Sequence, residues 1–86
     1  QTDLSGYAAT LDEMIEDLKR ERLEKVKIRK KIERSIRNLE NEDEQEVLRL
    51  RYISGLSWEE VAVEIGYAWA QTHRIHSSAL KNLKMI

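Results

Sequence analysis

Cysteine, proline and phenylalanine are all absent from this chain of 86 residues, and glycine occurs only three times. Without cysteine there is no disulfide, no thiolate metal site and no cysteine nucleophile. Without proline no helix is forced to kink. Apolar runs extend over only a few residues, far short of the roughly 20 that a membrane-spanning helix needs. No basic-then-apolar leader opens the chain, and a start at Gln1 rather than methionine points to a processed or excised end. Strong net charge is also missing. Fifteen Lys and Arg against sixteen Asp and Glu leave -1, so composition alone does not mark a nucleic-acid binder. Gly-rich phosphate loops and acid–base constellations are lacking too, and no enzyme is expected. What remains is an intracellular, all-α chain with a modest core.

The charge that is present is segregated. Residues 1 to 18 carry five acids and no Lys or Arg, residues 19 to 37 carry ten Lys or Arg against three Glu, and residues 38 to 46 carry five acids again. An acidic beginning and a basic end suit the dipole of one long helix. They also suit an antiparallel second copy, with Asp12, Glu13, Glu16 and Asp17 of one set against the Lys and Arg cluster of the other, so the N-terminal helix is a candidate homodimer contact.

That helix is expected from a capping box at Thr10-Leu11-Asp12-Glu13 to about Glu40. Leu11, Ile15, Leu18, Ile32, Ile36 and Leu39 supply its apolar positions, with a charged middle that is not buried throughout. Tyr7 offers a ring to pack back on the bundle. A turn follows at residues 38 to 43, where Asn41 or Asp43 caps the next helix. Residues 44 to 53 form that helix. Its Val47, Leu48, Leu50, Tyr52 and Ile53 are apolar on most sides, Arg49 and Arg51 reach outward, and Gly55 ends it.

The last third reads as two short helices joined at Gly66 and Tyr67. Ser57-Trp58-Glu59-Glu60 is a capping box, Val61, Ala62 and Ile65 give a narrow apolar stripe, and Gly66 supplies the left-handed stop. A second helix runs from about Trp69 to Leu83. At about 100° per residue, Trp69, Thr72, Ile75, His76, Ala79, Leu80 and Leu83 fall on its core side. Gln71, His73, Arg74, Ser77, Ser78 and Lys81 fall on the other, which is free of acid and rich in donors for bases or phosphates. The expected architecture is thus an N-terminal helical arm, residues 1 to 40, and a three-helix domain containing a helix-turn-helix, residues 41 to 86.

His73 and His76 have a spacing close to that of metal ligands, but position suggests no third ligand and zinc is not expected. His76 belongs at the core edge and His73 toward solvent or DNA. Trp58 reads as packing, while Trp69 is balanced between packing and base stacking. Arg74, in the first turns of its helix, is the best candidate for a two-bond contact to guanine. Arg49, Arg51, Lys81 and Lys84 are candidates for phosphates.

Residues 43 to 83 resemble region 4 of bacterial sigma factors. The likeness is carried by Val47-Leu48-Arg49-Leu50-Arg51-Tyr52, then Ser57-Trp58-Glu59-Glu60-Val61, then Ile75 and Ala79-Leu80-Lys81-Asn82-Leu83. It implies a helix laid in the major groove of promoter DNA and a surface that docks on RNA polymerase. It further implies that Trp69, Ala70, His73 and Arg74 face bases, with His73 and Arg74 the base-reading pair. Ser57 and Trp58 resemble the phosphate-contacting helix start, and Arg51 resembles a backbone-contacting arginine. Trp69 and Ala70 replace an Arg and a Glu of the housekeeping family, so the promoter sequence read by that family is not expected here. A full sigma factor does not fit in the chain. The whole is most similar to small phage and prophage proteins that join a charged helix to such a domain.

The expected function is sequence-specific binding of duplex DNA in transcription regulation, in the cytoplasm of a bacterial host. Residues 46 to 86 hold five Lys or Arg against four Glu. One copy therefore neutralises few phosphates, and tight binding needs a dimer, the basic stretch of residues 19 to 37 on the backbone, or a polymerase that holds the domain in place. The alternative is a protein that engages RNA polymerase or a sigma factor and does not itself read DNA.

Overall fold

The computed structural model describes residues 5–85. The fold is all-α, a long N-terminal helix followed by a small helical domain, with no strand among the described residues. Helix α1 is Ser5–Arg37, α2 is Glu42–Leu48 and passes directly into a π-helical segment Arg49–Ile53, α3 is Trp58–Ile65 and α4 is Trp69–Asn82. Because α1 projects beyond the domain, the molecule measures 67 × 27 × 15 Å. No helix among the described residues is long and apolar enough to cross a membrane.

Helix α1 starts before the capping box read at Thr10. Thr10 lies inside it and its Oγ1 donates back to the Gly6 carbonyl at 2.9 Å, a bond that a threonine makes within a helix rather than at its start. Leu11, Ile15 and Leu18 are exposed, and Tyr7 is 64% exposed and does not fold back on the domain. Only the C-terminal part of α1 is covered, by α2 and the π-helical segment. Its end comes at Arg37 rather than near Glu40, where the Asn38 amide bonds to the Arg34 and Ser35 carbonyls and the Leu39 amide to Ile36. The Gln45 side chain donates to the Leu39 carbonyl and pins the turn.

Asn41 caps α2, its Oδ1 accepting from the Glu44 amide at 3.0 Å, so the helix begins at Glu42, two residues earlier than the acid cluster suggested. After Leu48 the winding widens. The Ser54 amide bonds to Arg49 O at 3.0 Å and the Leu56 amide to Leu50 O at 3.1 Å. The extra residue per turn shares this strand of chain between two apolar clusters. Leu48 packs with Ile36, Leu39 and Ala79, with Ile53 against them, whereas Val47 and Leu50 pack with Val61, backed by Leu56, Trp58, Ile65 and Ile75. Widened turns of this kind re-aim side chains at a local cost in hydrogen-bond geometry.

Candidate nucleic-acid interface

Helix α3 begins as its sequence dictates. Ser57 Oγ accepts from the Glu60 amide and Glu60 Oε1 accepts from the Ser57 amide, each at 3.2 Å. Gly66 ends it at φ 78°, with its amide on the Ala62 carbonyl. Tyr67 and Ala68 then lead into α4, whose N-terminus carries no side-chain cap. The Tyr67 hydroxyl donates to Asp43 Oδ2 at 2.8 Å, which ties this turn to α2. That bond and the Asp43 charge raise the Tyr67 pKa above 10.0.

Helix α4 is held along its length by one buried face. Thr72 and Ala79 are buried, and Ile75, His76 and Leu83 are half-buried. Trp69 and Leu80, expected on the core side, are 57% and 49% exposed. The buried stripe is narrower than the periodicity implies, because a domain this small covers only one side of its last helix. At the far end, Glu44 of α2 is 5% exposed. Its carboxylate accepts from Asn82 Nδ2 at 2.8 Å and from Ser78 Oγ at 3.4 Å. The opening turn of α2 favours a carboxylate at this point, so the acid is tolerated in the core without a cation.

The outward face of α4 is a shallow groove lined by Ala70, His73, Arg74, Ser77, Ser78 and Lys81. No Asp or Glu occurs from Tyr67 to the end of the chain. Arg74 is exposed, with Nε donating to Gln71 Oε1 at 3.0 Å, a bond that orients the guanidinium across the first turns. Ala70, Ser77 and Lys81 are exposed and Gln71 is half-buried. Ser78 turns toward Glu44 and Ser57 is engaged in its capping box, so both hydroxyls already have partners within the domain.

The residues at the start of α3 and α4 form an aromatic cluster. The His73 ring lies 3.8 Å from Trp69 and 4.4 Å from Trp58 between centroids. Its Nε2 is buried without a hydrogen-bond partner. Instead of pointing freely to solvent, His73 is packed against two indoles while its helix position keeps it at the groove. Trp58 meets His76 edge-on at 4.6 Å, and His76 Nε2 shares a 2.8 Å hydrogen bond with the Tyr52 hydroxyl. Burial, followed by the charges of His73 and Arg51, lowers the His76 pKa below 6.5. Arg51, expected to reach outward, donates from Nη1 to the Leu56 carbonyl at 2.9 Å and lies 4.7 Å over the Trp58 ring. It braces the start of α3.

Tyr52 as a partner of His76, Glu44 as the anchor of α4 and the Tyr67–Asp43 tie are not among the sites expected from sequence. For Trp69 and His73 a signal was present, since residues four apart on a helix face each other. The other three depend on which helices meet.

The family model described as "Protein of unknown function (DUF1492)" matches residues 7–84. The chain belongs to the DUF1492 family. The DUF1492 match takes in nearly all of α1 together with the helical domain, including both tryptophans and the whole of the α4 groove. No curated protein and no solved structure matches this DUF1492 chain.

Proposed function

We propose that this protein is a transcriptional regulator that binds duplex DNA sequence-specifically, with α3 and α4 as a helix-turn-helix and α4 in the major groove. On this reading it is a sigma region 4-like protein of phage or prophage type that acts in the bacterial cytoplasm. The observation that carries it is the acid-free groove of α4, where Arg74 is exposed and oriented by Gln71. A solvated helix face normally interleaves Glu with Lys and Arg, whereas a face meant for DNA excludes carboxylates that phosphates would repel. Arg74 and Ala70 meet base edges, with His73 and Trp69 beside them in ring contact, and Lys81, Ser77 and Gln71 flank them toward the backbone. Arg51 and Trp58 act less as phosphate ligands than as the brace that aims the helix start.

The test is selection of binding sites from random duplexes, followed by titration at two salt concentrations. Arg74→Ala should lose discrimination at one base pair, worth about 1–3 kcal/mol for a two-bond guanine contact. Unchanged affinity in a folded variant would count against the reading.

A second reading is favoured by α3. Its outer face carries Glu59, Glu60 and Glu64 around Val63, which is 81% exposed. An acidic surface with an exposed aliphatic suits a protein partner such as RNA polymerase or a sigma factor. Capture of purified polymerase without DNA, lost in Val63→Asp, would support it, and no complex would remove it.

A further inference from the structure

Every residue from 6 to 31 of α1 is exposed, yet this stretch is not uniformly polar. Leu11, Met14 and Leu18 recur at intervals of three and four, and the same rhythm continues through Glu21, Lys25 and Ile28 to the half-buried Ile32. That is a coiled-coil seam interrupted at its middle by one acid and one base. Toward the C-terminal end of α1 the chain's own domain covers Ile36 and part of Ile32, so the open seam runs from Leu11 to Ile28, with the half-buried Ile32 at its edge.

We propose that this seam packs antiparallel on α1 of a second copy, in the register that sets Glu21 of each chain against Lys25 of the other. The inference rests on α1 alone and holds whether or not α4 reads DNA. In that register Leu18 meets Ile28 of the second copy, Met14 meets Ile32, and the two Glu21–Lys25 layers lie at the centre. A slide by one heptad places Leu18 against Glu21 and Met14 against Lys25, and a slide the other way places Ile28 against Lys25 and Ile32 against Glu21. Both bury a charge opposite an apolar side chain. A parallel pair sets Glu21 on Glu21 and Lys25 on Lys25. Polar layers that match in only one register are the established means of fixing alignment in coiled coils.

Along the rod the acidic stretch of residues 12 to 17 of one copy lies over the basic stretch of residues 29 to 34 of the other, whereas a parallel pair would lay acid along acid. Among the described residues of one chain the ion pairs of this stretch are exposed, Lys19 with Glu16 at 3.3 Å, Arg20 with Asp17, and Arg29 with Glu33 at 3.1 Å, each of small worth. The paired stretch runs over residues 14 to 32, a length of roughly 28 Å. It places the two helical domains at opposite ends of a rod, related by a two-fold axis across its middle.

Light scattering on the full chain should give twice the monomer mass. Glu21→Lys and Lys25→Glu should each shift the protein to monomer, and the double swap should restore the dimer. Both sites are exposed, so circular dichroism should show the helical domain intact throughout. Because the chain has no cysteine, orientation is read directly. Oxidised L18C/I28C should run as a covalent dimer while L18C alone should not. A wild-type monomer at the highest soluble concentration, an unaffected single charge variant, a double swap that fails to restore pairing, or efficient cross-linking of L18C alone would each overturn the proposal.

Discussion

The Glu44 carboxylate accepts the side-chain amide of Asn82 at 2.8 Å, across 38 residues of sequence. This bond joins the first turn of α2 to the last turn of α4 and sets how far the end of α4 stands from the core. Asn82→Ala leaves the buried acid with Ser78 as its side-chain donor, and the loss should be about 1–2 kcal/mol, in line with an unsatisfied buried acceptor. Urea unfolding would measure it.

Gly66 tests the turn between α3 and α4. Its φ of 78° is in the left-handed region, but an added Cβ would meet nothing within 4 Å. Gly66→Ala should therefore cost only backbone strain, roughly 1 kcal/mol. Thermal unfolding should show that modest drop with an unchanged circular dichroism spectrum; a collapse of the domain would mean the turn is under steric constraint as well.

The two tryptophans should separate. Trp58 is half-buried against the cluster of Val47, Leu50 and Val61 and supports Arg51 and both histidines, and Trp58→Ala should cost roughly 2–3 kcal/mol, somewhat below a fully buried ring. Trp69 is 57% exposed and contributes its tilted ring contact with His73, so Trp69→Ala should cost about 0.5–1 kcal/mol. If the DNA reading holds, the smaller stability effect accompanies the larger binding effect.

Acid should weaken the fold through His76. Its folded-state pKa lies below the ordinary 6.5, so the unfolded chain binds the proton first as pH falls. The stabilisation is complete above 6.5, declines as pH drops from 6.5 toward the folded value, and is constant below that. Unfolding curves at a series of pH values should show this decline, and His76→Gln should flatten that part of it.

The sequence made the ends of elements legible wherever a side chain acts on its own neighbours. Ser57 with Glu60, Asn41 and Gly66 all stand where local chemistry put them, because caps and left-handed stops are decided within four residues. Thr10 misled because the same hydroxyl that caps a helix start can bond to the carbonyl four residues back. Trp69 and Leu80 misled because periodicity reports a face, and how much of that face is covered depends on the bulk of the rest of the domain. Glu44 resembled its acidic neighbours Glu42, Asp43 and Glu46, and only the arrival of Asn82 from the other end of the domain sets it apart. The widened turn at Arg49–Ile53 has no local signature at all, since it arises from sharing Leu48, Leu50 and Ile53 between two clusters.

Helix α1 has two kinds of backbone. From Ile32 onward it packs on the domain, with Ser35 and Ile36 buried, and its amides should exchange with solvent deuterium slowly. Before that point residues 6 to 31 are exposed, and a free helix of this length unwinds from its end on the microsecond scale. Deuterium uptake should thus rise steeply toward the N-terminus within what looks like one continuous rod, and whichever molecule lies along Leu11, Met14 and Leu18 would be recorded as a slowing of that uptake over the same residues.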